Sequence, residues 1–250
     1  YAQKAGVVIV AAAGNNGLER VSYPAANDGV IAVGAVDANG TAMAFSNSGQ
    51  ALAAMSPGFA VNAAWTEGEA VLFSGTSASA PILSGAIVAA MNPGNGIQRT
   101  AQQAADLVMS KLNDAGAPGW DPVYGHGLLD MSRVMNAGVP GIYDAALASN
   151  YLAPPVQGRP YPELQVVIQN RGTELLVNTS VLVNTPFGTR PVNITNLAPD
   201  QIYTFGVPLP GVDWNNPGTL TFDSTVTVAD RYADANPANN RRADTYAPAE

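Results

Sequence analysis

The chain opens on a short apolar run, Val7-Val8-Ile9-Val10-Ala11-Ala12-Ala13, closed by Gly14-Asn15-Asn16-Gly17. A run without polar alternation, ended by turn residues, is how a strand buried on both faces of a parallel sheet reads. Residues 30–36, Val-Ile-Ala-Val-Gly-Ala-Val, repeat the pattern. Further strands are predicted at 51–55, stopped by Pro57-Gly58, and at 70–73. Residues 77–91 carry Ala, Ile, Leu and Val all the way round, which predicts a central buried helix ended by Asn92-Pro93-Gly94. Residues 97–112 set Gln and Asp against Ala, Leu and Val, the pattern of an amphipathic second helix. Strands alternating with helices predict an α/β layered domain over residues 1–137.

The texture then changes. Residues 138–160 hold Gly138-Val139-Pro140-Gly141, Pro154-Pro155 and Arg159-Pro160, and are expected to form a linker. Beyond it the hydrophobic period becomes two. The segments 164–169, 177–183, 202–207 and 220–228 are rich in Val, Thr and Ile and are separated by Asn, Gly and Pro turns. That spacing predicts an all-β, immunoglobulin-like sandwich over 161–250.

Composition narrows the chemistry. With 47% apolar and 12% charged residues in 250, the chain has enough hydrophobic surface for a sizeable core. Eleven basic against nineteen acidic side chains give a net charge of −8, which disfavours a nucleic-acid partner. There is no cysteine, so disulfides, thiolate catalysis and Cys-ligated zinc are excluded. The single histidine, His126, excludes any mechanism needing two histidines within this chain. No apolar run reaches the roughly 18 residues of a membrane span. The N-terminus, Tyr1-Ala2-Gln3-Lys4, runs into the first apolar segment with no leader pattern and reads as a cut edge.

Two short segments offer chemistry. In Gly75-Thr76-Ser77-Ala78-Ser79-Ala80-Pro81 a serine stands where a glycine turn meets the predicted buried helix. Its N–H is unpaired there, and the positive end of the helix dipole favours a developing anion. The same position also suits a plain helix N-cap. Asn15 follows the first strand, at the sheet edge where α/β folds gather ligands, and its amide could serve an oxyanion; Asn-Asn-Gly is equally a turn signature.

In combination and in this order, Ala11-Ala12-Ala13-Gly14-Asn15, Tyr23-Pro24-Ala25, residues 30–36, Phe45-Ser46, Ser56-Pro57-Gly58 and Gly75-Thr76-Ser77 followed by Pro81 resemble the C-terminal half of the catalytic domain of subtilisin-like serine proteases. The resemblance covers about residues 1–135 and implies a three-layer domain built on a parallel sheet. It implies that Ser77 is the nucleophile and that Asn15 shares the oxyanion with the Ser77 N–H. It also implies that Ala12, Ala13, Gly14 and Thr76 line the substrate site, and that Tyr23-Pro24 is cis. Two positions depart from the family: Ala78 stands where Met is usual, and Ile82 where His is common.

The family's catalytic Asp and His precede the oxyanion Asn in chain order, and this chain has neither there. His126, in Tyr124-Gly125-His126-Gly127-Leu128-Leu129-Asp130, resembles the glycine-rich segment closing the family's domain and is read as structural; Asp28, Asp106, Asp114 and Asp121 are read as loop and helix-surface acids. Residues 161–250 resemble the cell-adhesion-related domains of bacterial extracellular proteins, through Gln169-Asn170-Arg171-Gly172-Thr173, Leu197-Ala198-Pro199 and 234–240. The expectation is a secreted or cell-surface bacterial serine endopeptidase acting on polypeptides through an acyl-enzyme on Ser77. Its Asp and His are expected from an N-terminal half, without which this chain is inactive. The alternative is a non-catalytic binding or adhesion protein on a dead scaffold. No metal ligand set is predicted from side chains; the resemblance brings in structural calcium only through backbone carbonyls, which a sequence does not mark.

Overall fold

A computed structural model describes residues 1–94, 96–229 and 231–247. The chain divides into two compact units, Tyr1–Asn113 with Gly119–Met135, and Asp114–Pro118 with Asn136–Glu250.

The first unit is built on a parallel sheet of β1 (Ile9–Ala12), β2 (Val30–Val36) and β3 (Leu52–Pro57), in that order across the sheet. Helix α1 (Thr76–Met91) packs on it, and α2 (Ala101–Ser110) and the short α3 (Met131–Met135) complete a layer whose core includes Val33, Ala54, Leu83, Ile87, Ala104 and Val108. Helix α2 starts later than its apolar pattern does. Thr100 accepts from the Gln103 N–H and the Gln103 side chain accepts from the Thr100 N–H, a reciprocal cap that fixes the first turn. Arg99 is spent instead on the end of α1, donating to the Ala90 carbonyl at 2.9 Å. An antiparallel hairpin, β4 (Val61–Ala64) and β5 (Ala70–Phe73), leads into α1.

Two burial expectations are corrected here. The first strand is half-buried at all four positions rather than buried on both faces, because β1 is an edge of the three-stranded sheet. Helix α1 is not enclosed: Leu83, Ala86, Ile87 and Ala90 are buried, while Val88 is 66% exposed. Between the two lies an open groove of about 580 Å³, lined by Gly6 to Val10 from the strand side and by Ser84, Val88 and Met91 from the helix.

Among its described residues the second unit has seven strands in two antiparallel sheets. One has the order β10 (Ile202–Pro208), β7 (Glu163–Asn170), β6 (Ala145–Ala153); the other β12 (Arg241–Tyr246), β11 (Leu220–Thr227), β8 (Leu176–Thr185), β9 (Gly188–Leu197). Buried residues of both sheets, among them Leu147, Leu164, Ile168, Val181, Leu220 and Phe222, form one apolar cluster. The expected linker 138–160 is corrected: it contains β6, paired with β7 along its length and buried at eight of nine positions. Residues 114–118 also belong to this unit, with the Ser149 hydroxyl donating to the Gly116 carbonyl at 2.7 Å and the Asp114 N–H to Gln169 Oε1 at 3.1 Å.

Candidate active site

Ser77 lies in the first turn of α1, and Asn15 just after the carboxyl end of β1. Residues 62 and 61 apart in sequence are tied together by Thr76. The Gly14 N–H donates to Thr76 Oγ1 at 3.2 Å, and Asn15 Oδ1 accepts from both the Thr76 N–H, at 2.8 Å, and the Thr76 hydroxyl, at 2.9 Å. Thr76 itself is fully buried. With its oxygen spent in this way, Asn15 keeps its amide nitrogen for other partners. That nitrogen sits beside Gly75, where a Cβ would come within 3.3 Å of it. Gly75 has φ +152°, a conformation that L side chains rarely adopt, so the backbone here favours glycine, and a Cβ would in addition crowd the Asn15 amide.

The amides at the head of α1 complete the picture. The Thr76 N–H goes to Asn15 and the Ala78 N–H to the Gly75 carbonyl, whereas the Ser77 N–H has no acceptor among the described residues. Ser77 and Asn15 are exposed; Ala13 is buried, with Ala12 and Gly14 half-buried beside it. An exposed hydroxyl, an unspent N–H and a side-chain amide therefore flank one patch of surface at the positive end of a 16-residue helix. The arrangement can stabilise an oxyanion on two donors.

Residues 1–127 match the subtilase family. The chain belongs to that family. Among the relatives of this subtilase chain, the thermostable alkaline protease of Halalkalibacterium halodurans is 37% identical over 132 residues, covering 53% of this chain and 35% of the relative. Subtilisin DY of Bacillus licheniformis is 35% identical over 134 residues, covering 52% and 47%. Of solved structures, that of the patellamide maturation protease PatA superposes with a TM-score of 0.50 at 30% identity, covering 54% of this chain and 53% of that one. This subtilase chain thus spans about a third to a half of the length of these curated relatives.

The other predicted residues of this subtilase chain fall outside the patch. The His126 N–H donates to the Ala53 carbonyl beside β3, its side chain is exposed, and no hydrogen bond joins it to Ser77 among the described residues. Asp121 accepts from the Val123 and Tyr124 N–H groups and Asp106 from the Gln102 side chain, the local roles of turn and helix acids. The Tyr23-Pro24 bond is cis. No group of three or more His, Asp or Glu side chains gathers among the described residues.

Asn47 escapes the sequence reading. It is 1% exposed, and its side chain reaches the Asn15 loop. Its only sequence signal is its place after Phe45-Ser46, where an asparagine reads as one more turn residue.

Proposed function

We propose that this chain is the nucleophile-bearing portion of a subtilisin-type serine endopeptidase, completed by a segment preceding Tyr1 that brings the catalytic Asp and His. The observation that carries the reading is the junction at Thr76, which ties the Asn15 side chain to the amides that head α1.

In the complete enzyme the Ser77 hydroxyl attacks the scissile carbonyl of a polypeptide while the histidine takes its proton. The carbonyl oxygen becomes an oxyanion held by the Ser77 N–H and the Asn15 side-chain amide. Collapse breaks the C–N bond, the histidine returns the proton to the departing amine, and water then releases the acyl group from Ser77. Ala12 and Gly14, half-buried with Ala13 buried behind them, form a small, uncharged wall for the residue on the acyl side of the cleaved bond, which favours apolar or broad selection there. The open edge of β1 and the apolar groove between β1 and α1 support a preceding segment that adds strands on that side.

The second unit is a β-sandwich of immunoglobulin-like type, similar to cell-adhesion-related domains, serving as a spacer or surface-binding appendage. Following the resemblance, the protein acts outside a bacterial cell. Among the described residues no helix is long and apolar enough to cross a membrane.

The reading is tested with a fluorophosphonate probe on the purified chain alone and after mixing with the separately made preceding segment. The chain alone is expected to stay unlabelled, because a serine hydroxyl without a base is a weak nucleophile, and the mixture to label at Ser77. Labelling of the isolated chain that His126→Ala abolishes would overturn the assignment.

A further inference from the structure

The geometry points to Asn47 as the residue that positions the oxyanion donor Asn15, an inference that rests on the proposed function. Its side chain makes three hydrogen bonds, all but one of them to the loop carrying Asn15. Oδ1 accepts from the Asn16 N–H and the Leu18 N–H, each at 3.0 Å, and Nδ2 donates to the Ser22 hydroxyl at 3.1 Å. Its backbone N–H adds a fourth, to the Gly14 carbonyl at 2.9 Å. Asn47 therefore grips the chain on both sides of Asn15, and among the described residues none of its hydrogen bonds goes to the Asn15 side chain or to Ser77.

The loop is shaped to receive it. A Cβ at Gly14 would lie 2.3 Å from Asn47 Nδ2 and 2.7 Å from the Ser22 hydroxyl, and Gly14 has φ +115°. Only glycine lets the backbone come so close. The division of labour follows: Thr76 orients the Asn15 amide, and Asn47 fixes the backbone from which that amide hangs. The second task matters because residues 15–18 are exposed and have little packing of their own. A donor aimed at an oxyanion works only if it is in place before the charge develops. Asn47 can hold it because its side chain is buried, so its bonds do not compete with water.

The test is a double-mutant cycle in the complete protease, with thermal melts to check folding. Asn47→Ala is expected to lower kcat about 10- to 100-fold, the cost of roughly 1 Å of misplacement. KM should change little, because the donor acts mainly in the transition state. Asn15→Ala with Asn47→Ala should be no slower than Asn15→Ala alone, since the positioner has nothing left to position. Asn47→Ser, which keeps one acceptor and is the safer variant for folding, should recover part of kcat. A folded Asn47→Ala or Asn47→Ser enzyme with parental kcat, or losses that multiply with Asn15→Ala, would overturn the role. Activity surviving Ser77→Ala would instead sink the proposed function on which it rests.

Discussion

Asn15 spends its carbonyl oxygen on Thr76, and what it does with its amide nitrogen is a question of rate. If the nitrogen meets the oxyanion, Asn15→Ala in the proposed complete protease should lower kcat by roughly 100- to 1,000-fold, the range known for the type enzyme of this family, and leave KM nearly unchanged. Steady-state kinetics at saturating substrate decide it, and an unchanged kcat removes Asn15 from the mechanism. Ser77 and Asn15 stand out in the sequence as candidates because each sits in a contiguous motif at the end of a strongly apolar element. Asn47 is not, because its partners Asn16, Leu18 and Ser22 are reached only by folding back across 25 to 31 residues. The same scale offers a pH test in the second unit. Burial, with Asp244 adding to it, holds the Tyr246 phenol above its ordinary value of 10.0. The folded state thus favours the protonated phenol: its contribution is complete below the unfolded value and is lost as pH rises through the raised folded one. Denaturation midpoints measured upward from about pH 10 should therefore fall, and fall less in Tyr246→Phe. Parallel declines in the two proteins would show that Tyr246 carries none of the alkaline loss.

Elements were readable where burial left a one-sided or continuous pattern. The predicted strand at 30–36 has the bounds found, and α1 begins one residue before its prediction, because buried parallel strands and core helices write long apolar stretches. Three strands of the second unit carry no such mark. β6 is Ala-Ala-Leu-Ala-Ser-Asn-Tyr-Leu-Ala, rich in a residue with poor strand propensity and buried on both faces, so alternation is absent. β9 contains Pro191, which argues against a strand in a sequence; it is tolerated because β9 is a sheet edge. β12, at the opposite edge, opens on two arginines, and charge of that kind protects an edge from further pairing. Helix α2 shows the reverse case, an apolar pattern longer than the helix because the Thr100 cap sets the start. Thr100→Ala should cost about 1 kcal/mol of stability in chemical denaturation, the usual worth of a Thr cap. No change in the midpoint would mean that α2 is held by its buried Ala104, Ala105 and Val108 alone.

At the scale of the whole molecule, the position of β6 decides where the second unit begins. Starting it at residue 161, as the Pro-rich texture invites, removes a strand that supplies Ala145, Leu147 and Leu152 to the shared core and all of the β7 pairing on that side. Leu164, Val166 and Ile168, now fully buried, would lose cover. Burying an aliphatic side chain is worth about 1.5–3 kcal/mol, so losing three such contributions is comparable to the whole stability of a small domain. A fragment of residues 161–250 should therefore fail to give a cooperative unfolding transition, whereas one of residues 136–250 should fold. Restoring residues 114–118 should stabilise it further, because Ser149 and Gln169 regain their partners Gly116 and Asp114. Circular dichroism melts of the fragments distinguish the cases. A cooperative melt of 161–250 at the same temperature as 136–250 would show that β6 is an accessory to the unit and that its core closes without it.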